Sequence, residues 1–328
     1  MVLYEDNKAK YDAVSKDLFR LVQRDEKIHD VEFKTKPIGF FMDVWLRFVK
    51  NKASVIAAVI ILIISFFAVF GPGMNEYTYD EQHTELTNMP PKVPFIAKMN
   101  LGFFDGGYTM ENRKYDNLND PEKYPEGCVL EVINPRLVNG ERIVDVVVDY
   151  YKYKGLSDEQ CFWFGSDYLG RDIWTRMWRG ARVSLIIAVV SVCCNVFIGV
   201  VYGSISGYYG GKVDMVMMRI TEIINAFPRI VVVTLFIMVF GTGMFSIIMS
   251  LVIKDWVSTA RMVRSQFYRF KGREYVLAAR TLGVKDMALI FRHILPNSIG
   301  PIITRAMIAI PGAIFTESFS VSYTHLRA

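Results

Sequence analysis

The sequence predicts an all-α integral membrane protein with five transmembrane helices and an extracytoplasmic insert that carries short β-strands. Three observations lead there. Of 328 residues, 52% are apolar and only 22% charged, with a mean hydropathy of +0.24, a balance too apolar for a soluble domain of this length. The stretch "ASVIAAVIILIISFFAVF", residues 53–70, holds no charge, and roughly 20 apolar residues cross a bilayer core, as a helix because lipid offers no partner to an open backbone amide. Further along, "RIVDVVVDYYKY", residues 142–153, is rich in alternating and β-branched residues, which suits one or two short strands.

The amino-terminal segment 1–52 is polar and highly charged. A secretory signal peptide places its apolar core within the first few turns, so the first span, 53–71, is expected to remain as an anchor. Arg47, Lys50 and Lys52 crowd its leading end, and such clusters stay on the cytoplasmic side, which puts the amino terminus inside. A second uncharged run covers 183–211 and is apolar to about Tyr202. A third goes from near Met215 to the "GTG" at 241–243, a fourth from Met244 towards Ala260, and a fifth begins at Ser298. Spans one, three and five then run outward, and two and four inward. Residues 254–297 hold nine Lys/Arg against three Asp/Glu, which agrees with their inside position. Residues 72–182 hold thirteen against eighteen and fall outside. Pro228 is expected to kink span three, and Pro311 span five.

The insert, 72–162, is rich in Asn, Asp, Glu, Pro and Tyr. It reads equally as a docking surface for a soluble partner or as an elaboration packed on the span mouths. Cys128 and Cys161 share it, so a disulfide is conceivable in an oxidising compartment, although spacing does not establish one. Cys193 and Cys194 fall inside span two and read as small apolar packing residues.

Catalytic signatures are missing. The Gly211–Lys212 pair has Ser206 where a phosphate-binding loop needs its first glycine, and Val213 follows the lysine. Neither H-E-x-x-H nor G-x-G-x-x-G occurs, and His29, His83, His293 and His325 have no ligand spacing. The expectation is therefore no enzyme, no metal and no cofactor on this chain, and nothing calls for a nucleic-acid partner. Charges near the spans are costly in lipid and tend to face a bundle interior or a watery path. Arg219, Glu222, Arg229 and Glu317 fall near the spans; the first three are read as span-end charges that snorkel or pair. For Lys254, Asp255 and Arg305, a structural role and a place on a translocation path stand side by side.

The loop before span five, "GREYVLAARTLGVKDMALIFRHILPN", residues 272–297, divides at a glycine. Tyr275, Ala278, Ala279 and Leu282 share one face of a helix over 274–282, which Gly283 is suited to end. Asp286 is a plausible N-cap for a second helix whose stripe is Met287, Ile290, Phe291 and Ile294, and Pro296 is expected to stop it. Arg273, Arg280, Lys285 and Arg292 would face water. Two capped amphipathic helices are more order than a linker needs, so this elbow reads as a docking element.

"LAARTLG" followed nine residues later by "HILP" resembles the EAA loop of ABC importer permeases. Ala278, Ala279, Gly283, Leu295 and Pro296 match, while Leu277 stands at the glutamate position and His293 at the isoleucine position. "EYVLAAR" and "FRHILPN" resemble the form found in the dipeptide/oligopeptide/nickel subfamily. "FGSDYLGRDIWTRMWRGARVSL", residues 164–185, is similar to that family's G-T-D-x-x-G-R-D segment, with Ser166 for threonine. "GGKVDMVMMRITEIINAFP", residues 210–228, resembles its G-G-x-x-D…M-R…F-P segment, and "RFVKNKASVIAAVIIL" the first-span signature of the second, C-type subunit.

The resemblance implies a permease core over 163–320 with a cytoplasmic coupling loop at 262–297. It also implies a homologous permease partner, two ATPase subunits that bind the ATP, and an extracytoplasmic solute-binding protein, in the inner membrane of a prokaryote. The implied cargo is a peptide or a related solute such as nickel. Contacts to the ATPase are implied for Glu274, Tyr275 and Ala278, and for Ala279, Arg280, Leu282 and Gly283. The family carries a sixth span; here the chain turns at "ESFS" into "VSYTHLRA", and 321–328 are read as a foreign tail. A secondary transporter or channel without ATP, and a membrane-anchored sensor or scaffold, are the rival readings.

Overall fold

The computed structural model describes residues 39–97, 99, 103–157 and 160–325. Most of the expected 1–52 segment, and the last three residues of the expected tail, lie outside them. The chain divides into two units, Met1–Ile61 and Leu62–Ala328.

In the first unit the polar lead-in contains a helix, α1 (Phe40–Lys50), with an Asp43–Arg47 pair one turn apart at 2.9 Å. Asn51 then turns extended, and its side-chain oxygen accepts the Ala53 N–H at 3.1 Å, which caps α2 (Lys52–Phe70). This helix continues into the second unit at Leu62; past Lys52 it carries no charge, and Ile60 to Ile64 are all exposed, as suits a helix surrounded by lipid.

In the second unit, the insert folds around a three-stranded antiparallel sheet: β1 (Gly107–Lys114), β2 (Val129–Val138) and β3 (Glu141–Asp149), with β3 central. Alternation places Val144, Val146 and Val148 on one face, buried with Met110, Tyr124 and Cys128. The strand expected to reach Tyr153 ends at Asp149. Its carboxylate accepts the N–H groups of Tyr151 and Lys152 and starts a helical turn over Tyr150–Tyr153. Cys128 is a free thiol inside the sheet core, so the conceivable disulfide to Cys161 is not formed.

Asp145 sits on the opposite face of β3. It accepts the Asn112 N–H at 2.9 Å and the Asn134 amide at 3.2 Å, and pairs with Arg136 at 3.0 Å. The Asn112 backbone bond foremost, then Asn134, hold its pKa below the usual carboxylate value. A depressed folded pKa contributes stability above the unfolded value, near pH 4, and loses it as pH falls through the folded value. Amide-exchange protection of β3, corrected for intrinsic rate, is therefore expected to drop below about pH 4. Asp145→Asn should start lower at neutral pH and drop less; an identical acid profile in the variant would remove Asp145 from the account.

The segment 164–172 ties the insert to the helices. Ser166 Oγ accepts the Met89 N–H at 2.9 Å and donates to Leu86 O at 2.5 Å. Asp167 accepts the Leu169 and Arg171 N–H groups and pairs with the Arg171 guanidinium at 2.8 Å. Asp172 accepts the Thr175 N–H and the Asn75 amide, at 2.8 and 2.6 Å, and caps α3 (Ile173–Tyr209). The helix so begins ten residues before the expected span and runs 37 residues.

The expected third span is broken. Helix α4 (Gly211–Ala226) and α5 (Arg229–Phe240) meet at 78°, because Phe227 is extended and Pro228 has no N–H with which to continue the ladder. A full break replaces the expected kink. Helix α6 (Met244–Phe270) contains the expected fourth span but carries Lys254, Asp255 and Arg261. Among the described residues three helices are long and apolar enough to cross a membrane, or four if the bent pair is one span, against the five expected. Cys193 is exposed and not packed in a core.

After α6 come α7 (Glu274–Thr281) and Gly283, whose φ of +79° ends the helix as expected. Asp286 is the first helical residue and not the cap. Pro296 does not stop this helix: a π turn over Leu289–Ile294 leads directly into α8 (Leu295–His325), which also passes through Pro301 and Pro311. The π register bonds the Leu295 N–H to Ile290 O, so the ladder has already widened where Pro296 would otherwise clash.

The spine of this unit is α3 against α6. Gly199, Gly203 and Gly207, four apart on one face, abut Thr259, Ala260, Val263 and Phe267.

Candidate functional site

A cavity of about 460 Å³ lies among α3, α6, α8 and the break between α4 and α5. On α8 it is lined by Arg305, Ala309, Gly312 and Thr316, whose spacing of four, three and four keeps them on one face. Small residues there leave the space open. Lys254, Asp255 and Arg305, read as path candidates, all line it, and Arg229, read as a span-end charge, joins them.

The two neighbours on α6 bracket the break. Lys254 Nζ donates to Phe227 O, at the end of α4, where a cation suits the orphan carbonyls. Asp255 accepts two bonds from the Arg229 guanidinium, at 2.7 and 3.2 Å, at the start of α5. Arg229 also reaches Thr316 Oγ1 at 3.3 Å. Lys254 and Asp255 thus staple the bend and keep the cavity wall in place. Arg305 is different: it donates to Ser258 Oγ at 2.6 Å, and among the described residues no carboxylate pairs with it. Of the other charges, Arg219 and Glu222 form an exposed pair at 2.6 Å, and Glu317, nearly buried, accepts from Ser184 at 2.8 Å.

A second polar knot joins the cytoplasm-facing ends expected for α3, α4 and α6. Asp214 accepts the Ser206 hydroxyl at 2.5 Å, the Nε and Nη2 hydrogens of Arg264 at 2.5 Å each and the Tyr268 hydroxyl at 3.0 Å. A buried carboxylate so saturated is held in one geometry.

The elbow packs on this end. Val276 and Ala279 are buried, at 0% and 8% exposure, with Phe267, Leu289, Ile290 and Ile294. Tyr208, on α3, donates to Asp286 at 2.5 Å and accepts from Arg280 at 3.1 Å. The expected stripe is thereby divided. Tyr275, Ala278 and Leu282 point away from the core, Leu282 at 84% exposure, and only Ala279 of that set is buried. The second stripe divides likewise, with Ile290 and Ile294 buried and Met287 and Phe291 exposed. Glu274 and Arg280 are exposed. The elbow therefore has one apolar face locked to the helices and a second one open.

Sequence reasoning did not find Tyr208, Arg264, Ser258 or Asn195. The partners of Tyr208, Arg264 and Ser258 lie tens of residues away, Asn195 Oδ1 is buried with none among the described residues, and only the aspartate of the G-G-x-x-D segment signalled any of them.

A helical membrane core with a polar cavity and a packed amphipathic elbow defines a membrane transport component. Residues 199–324 match the family model for the inner membrane component of binding-protein-dependent transport systems, and residues 39–91 that for the N-terminal transmembrane domain of oligopeptide transport permease C. The oligopeptide transport system permease protein OppC of Bacillus subtilis is 32% identical over 291 residues, 89% of this chain and 73% of the relative. The dipeptide permease protein DppC of Lactococcus lactis is 34% identical over 286 residues, 86% and 73% of the two chains. The glutathione permease protein GsiD of Pectobacterium atrosepticum is 34% identical over 182 residues, 55% and 60%. The chain belongs to this family of inner membrane permease components.

Proposed function

We propose that this chain is the C-type permease subunit of an ABC importer that moves peptides, or a related solute such as nickel, across the cytoplasmic membrane. In this reading the chain carries no cofactor. Separate ATPase subunits bind the ATP and dock on the 272–297 elbow, a homologous permease completes the pore, and a solute-binding protein delivers cargo from outside. The amino terminus is cytoplasmic, and the insert lies on the far side.

The observation that carries the reading is the two-faced elbow. Val276 and Ala279 fix α7 to α3, α6 and the π turn, so a push on the open Tyr275–Leu282 face is transmitted to the helices around the cavity. A flexible linker would absorb it. Glu274, Tyr275, Ala278 and Leu282 are the direct contacts in this reading. Ala279 and Gly283 act from within, one as core packing and one as the turn, and Arg280 braces Tyr208. Lys254 and Asp255 hold the path wall, and Arg305 faces the path.

The test is uptake into proteoliposomes that contain this chain, its permease partner and the ATPases, with a loaded binding protein outside. Peptide accumulation that needs ATP supports the reading. Accumulation without ATPases, driven by an ion gradient, would favour a secondary transporter instead.

A further inference from the structure

We propose that Arg305 and Asn195 form a subsite in the cavity that takes the carboxylate-bearing end of a peptide in transit; this rests on the peptide-importer reading above. Three cations line the cavity against one carboxylate, Asp255. Two of the three are committed: Arg229 is bidentate to Asp255, and Lys254 is bonded to a backbone carbonyl. Arg305 spends a single bond on a neutral hydroxyl, that of Ser258. A guanidinium has five N–H groups in a planar fork that matches a carboxylate, so Arg305 has donors to spare where the wall as a whole is positive.

The second observation is independent of charge. Asn195 lines the same cavity and is 7% exposed, and among the described residues its buried Oδ1 has no hydrogen-bond partner. A buried acceptor is normally satisfied. The carboxyl end of a peptide supplies a hydrogen-bonding anion for the open donors of Arg305 and, one residue back, an amide N–H for Asn195. The cavity volume lies within the range of small-molecule sites, roughly 300–1,000 Å³. Ser258 offers Arg305 a resting partner when the cavity is empty of solute, which favours release over tight retention.

The experiment compares trialanine with its carboxamide in the full reconstituted complex. Each is presented on the binding protein at saturating concentration, so that capture does not set the rate. Wild type is expected to move the free acid about tenfold faster, the worth of one charge-assisted contact. Arg305→Gln should bring that ratio near one, and Arg305→Lys should keep most of it. Asn195→Leu should slow both peptides in parallel and leave the ratio alone.

Equal rates for the two peptides in wild type would overturn the proposal with no variant needed. So would an Arg305→Gln complex that keeps the wild-type ratio; if that variant also loses its permease partner on purification, Arg305 belongs to the subunit interface. A wild-type complex that moves neither peptide but does move another solute with ATP would show that the peptide reading itself has failed, and the subsite falls with it.

Discussion

Leu282→Asp is expected to abolish ATP-dependent uptake while leaving the fold of the chain unchanged. Leu282 is 84% exposed just past the end of α7, beside Tyr275 and Ala278 on the face turned from the core. Surface substitutions of this kind usually change stability by no more than about 0.5 kcal/mol. In a docked interface the same side chain would be a buried apolar anchor, and loss of such an anchor costs about 2–4 kcal/mol, or roughly 30- to 1,000-fold in affinity. Burying an unpaired carboxylate adds to that. The measurements are co-purification of the ATPase subunits, uptake, and a melting curve in detergent. Leu282→Met should behave as wild type. Wild-type ATPase binding by Leu282→Asp would place the docking face elsewhere.

The contrast with Ala279 sharpens this. Periodicity placed Ala279 with Tyr275, Ala278 and Leu282, yet only Ala279 is buried against the helices, with Val276 three residues before it. Ala279→Arg would therefore lose transport by forcing a charge into the core, with a fall in melting temperature that Leu282→Asp should not show. The two variants separate coupling from folding.

Much of the elbow was legible because its signals are local. Gly283 ends α7 through a positive φ that its own residue type allows, and β3 follows from the alternation of Val144, Val146 and Val148. The division of the stripe was not legible because α7 carries two apolar faces, and spacing alone does not say which one meets a neighbour. The break at Phe227–Pro228 reads as a kink in the sequence, where one proline interrupts a largely apolar run; the structure bends there by 78°, and Lys254 and Asp255, distant in sequence, grip the two sides. Those same residues read as path candidates because an intramembrane charge signals function by default. In the structure both are bonded to the backbone or to an opposite charge, and Arg305 is left as the cation with donors to spare. The expected count of five spans includes α6, whose charges keep it outside the three helices that are long and apolar enough by composition among the described residues; in the structure it buries Val257, Ala260, Val263 and Phe267 within the helix bundle.

Gly203→Leu is expected to remove the folded protein from the membrane altogether. A Cβ built on Gly203 would strike Ala260 O, and it would stand 2.9 Å from Val263 Cβ and 3.0 Å from Ala260 C. Two of these atoms are backbone, so no side-chain rotation relieves the clash. The neighbours add to it, since Gly199 and Gly207 would each bring a Cβ to 2.6 Å of Thr259 Cβ and Phe267 Cβ. Small residues four apart let two helices approach closely in lipid, where the hydrophobic effect does not press them together and close packing must do so. Even Gly203→Ala should cost about 1–3 kcal/mol, the usual penalty of overpacking. Leucine adds three more carbons and must push α3 from α6, which also separates Ser206 and Asp214 from Arg264 and leaves that network partly unpaired. Gly180→Ala, within α3, is the control: among the described residues nothing beyond its own helix and chain neighbours lies within 4 Å of a Cβ there, and alanine in a helix interior is favoured over glycine by about 1 kcal/mol. Detergent-extracted protein should elute as a single folded species for wild type and Gly180→Ala, shift to aggregate for Gly203→Leu, and melt several degrees lower for Gly203→Ala. A monodisperse, transport-competent Gly203→Leu protein would mean that α3 and α6 do not meet at this glycine face.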